Sequence, residues 1–149
     1  MTPEPSPSPC PDRLIDGCGY VGNELARQSL AQGLRVAGIR RTTSELPACT
    51  LPLAIDLQAP IALPEAWHGG HLTQIVYAAG PQRREDGSRE QAYRDAFQHG
   101  PANLLDALDR ARITVDRFLL VSSTGALGSE DGRDVDETTE PEPVGPTDR

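Results

Sequence analysis

Apolar positions along this chain fall into short runs of strand length, separated by stretches that repeat with helical spacing. Residues 13–16 form the first such run, and a cluster of three glycines follows it. Val21, Leu25 and Ser29 then share one helical stripe with Ala26 and Leu30 beside it, and Gly33 stands where a helix stop belongs. Runs at 34–39, 51–57, 74–79 and 117–121 predict four more strands. The Pro- and Ala-rich stretch 58–70, which carries Trp67, reads as a loop with a short helix. Ser88 and Gln91 fit a capping box that opens a long helix over 88–112. Its apolar positions include Ala92, Tyr93, Ala96 and Phe97, then Leu104, Leu105, Leu108 and Ala111. Gly100-Pro101 interrupts this pattern and predicts a kink or a break.

Strands that alternate with helices at this spacing imply an α/β fold with a doubly wound parallel sheet and right-handed crossovers. Five strands would take the order 3-2-1-4-5, with ligand at the switch between strands one and four. The organisation expected is one domain over 13–128, preceded by a proline-alternating, disordered lead at 1–12. An acidic tail without regular structure follows at 129–149. The 149 residues suit a single core. No stretch reads as a membrane span or secretory leader, so a cytoplasmic protein is expected.

Charge narrows the partners. The formal net charge is −8, but eight acids against two arginines lie between Glu130 and Arg149, so the body is close to neutral. No broad basic field exists to hold nucleic acid. Cys10, Cys18 and Cys49 are odd in number and irregularly spaced, which argues against a disulfide framework. With no Cys-x-x-Cys pair beside His68 and His71, no metal site is expected.

Candidate chemistry collects at the carboxyl ends of the strands. Gly17, Gly19 and Gly22 stand at Gly-x-Gly-x-x-Gly spacing between the first strand and its helix. The first glycine permits a tight turn, the second a close approach to a diphosphate, and the third close packing of helix on strand. The helix N-terminus, with Tyr20 and Val21 in its first turn, supplies N–H groups and a positive dipole end. After strand two, Arg40 and Arg41 occupy the place where an acid would bind a ribose 2′-hydroxyl and an arginine a 2′-phosphate, which favours NADP(H) over NAD(H). Two solvated surface arginines are the plain alternative. Asp56 suits an adenine amino group with Leu57 against the ring, or else a loop cap. Ala78, Ala79 and Gly80 are small enough for a cofactor to pass over them. Ser122 and Ser123 follow strand five. Ser123 is the candidate catalytic hydroxyl, or a turn-capping serine.

Taken together these residues resemble the N-terminal, Rossmann-like portion of an extended or atypical short-chain dehydrogenase/reductase, the NAD(P)-dependent epimerase/dehydratase family. The matching pieces are Gly-Cys-Gly-Tyr-Val-Gly at 17–22, Arg40-Arg41, Asp56-Leu57 and Tyr77-Ala78-Ala79-Gly80. Asn103-Leu104-Leu105-Asp106-Ala107, the segment 121–128 and Val135-Asp136-Glu137 continue the match to about residue 140. The resemblance implies a dinucleotide cofactor and a small-molecule substrate such as a sugar nucleotide. It also implies that Ser123 is the active-site serine, and it allows a homodimer through the long helix. That helix's apolar stripe is equally needed by the sheet.

The chain departs from the family at several points. The family's base is a tyrosine followed four residues later by a lysine, yet this chain has no lysine and its last tyrosine is Tyr93. Leu127 stands where a tyrosine is usual, and Phe97 where an active-site asparagine is common. The family's substrate-binding C-terminal part is expected to be absent. Asp16, just before the first glycine, would set a partly desolvated carboxylate beside the phosphates. Three readings follow, the first two being an NADP(H)-binding oxidoreductase or epimerase-like protein and a non-catalytic dinucleotide-binding sensor or interaction module. A truncated remnant with an exposed fifth strand is the third.

Overall fold

The computed structural model describes residues 10–83, 85–123, 127, 132 and 134–142. Its centre is β1 (Arg13–Asp16), which pairs in parallel with β2 (Val36–Arg40) on one side and β4 (His71–Tyr77) on the other. β3 (Leu51–Ala54) lies outside β2 and β5 (Thr114–Leu120) outside β4, giving five parallel strands in the order β3-β2-β1-β4-β5. Each parallel connection must cross a face of the sheet, by α1 after β1 and by the long helix after β4, and by loops after β2 and β3. Asp16 ends β1 opposite Ile39 of β2 and Tyr77 of β4.

Each face of the sheet has its own core. Helix α1 (Tyr20–Ala31) covers Ile15, Cys18 and Val36 with Ala26, Leu25 and Leu30. It ends as its sequence suggests. Gly33, at φ +79°, donates to the Leu30 carbonyl and Leu34 to that of Ser29, a Schellman closure that a β-carbon would disfavour. On the opposite face Leu14, Ile39, Ile75 and Tyr77 pack beneath Leu104 and Leu108, and Trp67 lies in the same cluster. Burial is graded across the sheet. Ile15, Leu14 and Ile39 are closed to solvent, whereas Phe118, Leu119, Leu120 and Val121 at β5 are exposed.

The pattern placed the elements correctly but missed some local features. α1 turns Gly22, Ala26 and Ser29 inward and leaves Val21 exposed, so its buried stripe is rotated from the one expected. β3 stops at Ala54, and β4 and β5 each start three residues before their apolar runs, because sheet pairing recruits polar ends that periodicity ignores.

The long helix is interrupted just before Gly100-Pro101, by a π turn rather than a break. α2 (Arg89–Arg94) passes through a π turn (Asp95–His99) into α3 (Gly100–Arg110), with Pro101 in the first turn of α3. A proline removes one helical donor, and a wide turn just before it accommodates that loss. Ser88 caps α2 by accepting from the Gln91 N–H at 3.2 Å.

Residues 1–9 of the proline-rich lead, Thr124, Gly125, Ala126 and Gly128, and much of the acidic tail lie outside the described residues. Within the tail, 134–142 form only turns, where Asp136 accepts from Thr138 and Thr139, and these bonds lower its pKa. Among the described residues no helix is long and apolar enough to cross a membrane.

Candidate functional site

At the carboxyl edge of the sheet, where β1 separates the two crossover directions, a cleft of about 760 Å³ opens. That is the size of a site for a small organic ligand. It is lined from the β1 turn by Asp16, Gly17, Cys18 and Gly19, from β2 by Ile39, Arg40 and Arg41, and after β3 by Asp56, Leu57 and Gln58. Tyr77, Ala78, Ala79 and Gly80 line it after β4, and Ala92, Asp95 and Ala96 from the helix above.

The three glycines divide by what surrounds them. Gly17 turns at φ +76°, and a β-carbon there would run into the backbone of Ala79. A β-carbon on Gly22 would lie 2.6 Å from the Gly17 carbonyl, so this glycine lets α1 pack against the turn. Both are demanded by the protein itself. Gly19 is not. Its φ is −87°, outside the left-handed range, and a β-carbon there would find only the Gly17 carbonyl oxygen, 4.0 Å away. Gly19 is also the residue from which α1 starts. No side chain caps that end and no acid lies in its first turn, so its N–H groups and positive dipole remain available to an anion.

The arginines reach the cleft by different routes. Arg40 donates to the Cys18 carbonyl at 3.1 Å and pairs with Glu45 at 2.5 Å. Arg41 donates to the Gln82 side chain at 3.3 Å. The loop after β3 is fixed from the helix side: Gln58 donates to the Asp95 carbonyl at 2.9 Å, and Asn103 to the Leu57 carbonyl at 2.7 Å. Asp56 lines the cleft and also accepts from the Gln58 N–H at 3.0 Å, so cleft and loop-cap geometry coexist there. Asp95 itself is held by Gln91 at 2.8 Å and by His99 at 3.0 Å.

Beneath the turn lies an unusual acid. Asp16 is closed to solvent, and neither carboxylate oxygen has a hydrogen-bond partner among the described residues. The Gly17 N–H bonds to the Ile39 carbonyl at 3.2 Å and gives the acid little relief. Burial pushes the Asp16 pKa up to about 8, so the group is a neutral carboxylic acid at pH 7. Burial and the nearby acid also raise Cys18 to about 11 and raise Tyr77. The Tyr77 hydroxyl donates to the Ala96 carbonyl inside the π turn at 2.6 Å.

Nine of the predicted positions therefore meet in one cleft: Gly17, Gly19, Arg40, Arg41, Asp56, Leu57, Ala78, Ala79 and Gly80. Gly22 supports it from below. The Tyr20 and Val21 side chains are exposed, so only their backbone faces the helix mouth. Ser122 and Ser123 follow β5 at the same edge of the sheet and are exposed, but they are not among the cleft-lining residues. Ala92 and Asp95 were missed, because only the folding of the long helix brings them to the cleft, and Gln58 because nothing in the loop after β3 marks it.

A family model for the NAD-dependent epimerase/dehydratase family matches residues 14–149. No curated protein matches the sequence. Among solved structures, a Methylobacillus flagellatus protein described as an NAD-dependent epimerase/dehydratase is 29% identical. The match covers 88% of this chain and 44% of that one, with a TM-score of 0.58. A Burkholderia cenocepacia protein described as an epimerase is 25% identical, with 96% and 46% covered and a TM-score of 0.63. The Thermus thermophilus UDP-glucose 4-epimerase, in complex with NAD, shares the fold at 20% identity, with 91% and 46% covered and a TM-score of 0.66. The chain thus spans less than half the length of these relatives.

Proposed function

Because the chain belongs to the NAD-dependent epimerase/dehydratase family, we propose that its cleft binds a nicotinamide dinucleotide and is the cofactor half of an epimerase- or oxidoreductase-type site. One observation carries this reading. Gly19 lacks a side chain although the protein's own packing does not require that, and it stands beside an uncapped helix N-terminus at the switch point of the sheet. A diphosphate fits that gap, with the N–H groups of Tyr20 and Val21 as donors. The adenine end would lie along Asp56 and Leu57, and Ala78 to Gly80 would leave room for the remainder.

NADP(H) is the form we assign, on the strength of Arg40 and Arg41. Glu45 competes for Arg40, so the preference should be modest, about tenfold or less. Titrating the chain with NADPH and NADH by fluorescence tests both levels. Arg40→Asp should reverse the preference, and Glu45→Gln should strengthen it. An unchanged ratio in both variants refutes the 2′-phosphate assignment, and no binding of either nucleotide at millimolar concentration refutes the cleft.

The substrate would be a small carbonyl or hydroxyl compound, of the sugar-nucleotide kind by family, with Ser123 orienting its oxygen. The family's tyrosine–lysine proton-transfer pair has no counterpart in these 149 residues. There is no lysine, and the Tyr77 hydroxyl is committed to the Ala96 carbonyl. That favours binding without turnover by this chain alone, and turnover of a sugar nucleotide by the purified chain would overturn it.

A further inference from the structure

Asp16 immediately precedes the glycine turn that would hold the diphosphate of a dinucleotide, and among the described residues no ion pair offsets its charge. Asp16 is among the residues that line the cleft, and its carboxyl is closed to solvent and has no hydrogen-bond partner among the described residues. An ionised carboxylate there would face the phosphates across a short, poorly hydrated gap, the arrangement in which like charges repel most. A neutral acid avoids that repulsion and has an O–H to donate. We propose that the cleft admits a dinucleotide only when Asp16 carries a proton, so that the diphosphate and the proton bind as a linked pair. The inference rests on the dinucleotide reading above and specifies which protonation state of the site is competent.

The surroundings leave Asp16 as the group that sets this window. On the turn after β1 the titratable neighbour is Cys18, held at about 11, and on β4 it is Tyr77, raised further. β2 presents apolar Ile39 opposite, and the next residue, Arg40, spends its guanidinium on the Cys18 carbonyl and Glu45. The helix above contributes Ala92, Ala96 and Asp95, the last held by Gln91 and His99. Asp56, Arg41, Arg83, Glu85 and Asp86 complete the charged lining farther along the cleft. Burial holds Asp16 neutral up to about pH 8, and a bound diphosphate would raise that limit further.

Linkage fixes the form of the result. Below pH 8 the free cleft already holds the proton, and affinity is independent of pH. Above it, each unit should weaken binding about tenfold, while binding takes up close to one proton per nucleotide. The experiment measures NADH and NADPH dissociation constants from pH 6.5 to 9.5 for the native chain and for Asp16→Asn. Calorimetry at pH 9 in buffers of different ionisation enthalpy counts protons without needing a variant. Asp16→Ala serves if the asparagine chain folds poorly.

The expected result is a break near pH 8 in the native chain, about a 30-fold loss by pH 9.5, proton uptake at pH 9, and flat profiles in the variants. Native binding that stays flat to pH 9.5 without proton uptake overturns the linkage and leaves the cleft standing. So does binding by the variants alone, which would make Asp16 an outright block. Absence of binding by every chain at pH 6.5 removes the cleft assignment itself, and the linkage with it.

Discussion

Replacing Asp16 with asparagine should flatten the dependence of stability on pH. In an unfolded chain this carboxyl titrates near 3.8, and in the folded protein burial raises it to about 8. The folded value lies above the unfolded one, so between these limits the native state holds a proton that the unfolded state has released. Stability is fully present below about pH 4 and is lost as pH rises, by about 1.4 kcal/mol per unit. By pH 7 the loss reaches about 4 kcal/mol, a large share of the roughly 5–15 kcal/mol that holds a domain of this size together.

Asparagine has nearly the same shape and does not titrate. The two proteins should melt together near pH 4.5. At pH 8 the variant should be more stable by several kcal/mol, which corresponds to about 10–20 °C in Tm. Thermal or urea unfolding at four pH values between 4.5 and 8 measures this. Other carboxylates change both proteins alike, so the difference between the curves isolates Asp16. Parallel curves would show that the buried acid is solvated or paired in solution, and the account of its burial would fail.

Two further substitutions separate fold from ligand. Gly17→Ala puts a side chain at positive φ against the Ala79 backbone and should cost at least about 2 kcal/mol. Gly19→Val should cost only about 1 kcal/mol, as a β-branched residue at a helix N-cap, yet weaken NADPH binding 100-fold or more; equal loss of stability in both variants would refute the division. Gly100→Ala, mid-helix, would ordinarily stabilise, but its β-carbon would strike the Tyr77 hydroxyl. The change should cost about 2 kcal/mol alone and become neutral or favourable with Tyr77→Phe, as a double-mutant cycle by urea unfolding would register.

The order of the sheet was readable because each strand is a short apolar run and the crossovers from β1 and from β4 have helical spacing, signals that local sequence carries. The glycine turn was legible for the same reason: three residues within six positions specify it. The interruption at Gly100-Pro101 was legible, but its form, a π turn rather than a break, was not, because its resolution is tertiary. Proline needs a wide turn before it, and glycine is there partly to clear a tyrosine arriving from β4. Glu45 on Arg40 was equally out of reach, since no periodicity marks a loop acid as a partner. The position of Asp16 was visible as an oddity, but its neutrality follows only once β2 and β4 close around it.

The gradient of burial from β1 outward also bears on how samples of this protein are judged. Amides of β1 and the inner half of β4 should exchange with deuterium last, and those of β5 early. A nucleotide seated over the dry middle strands reports on them alone. Preparations whose outer strand has already come loose would still pass a ligand-binding check, and only a probe at the margin would tell the two apart.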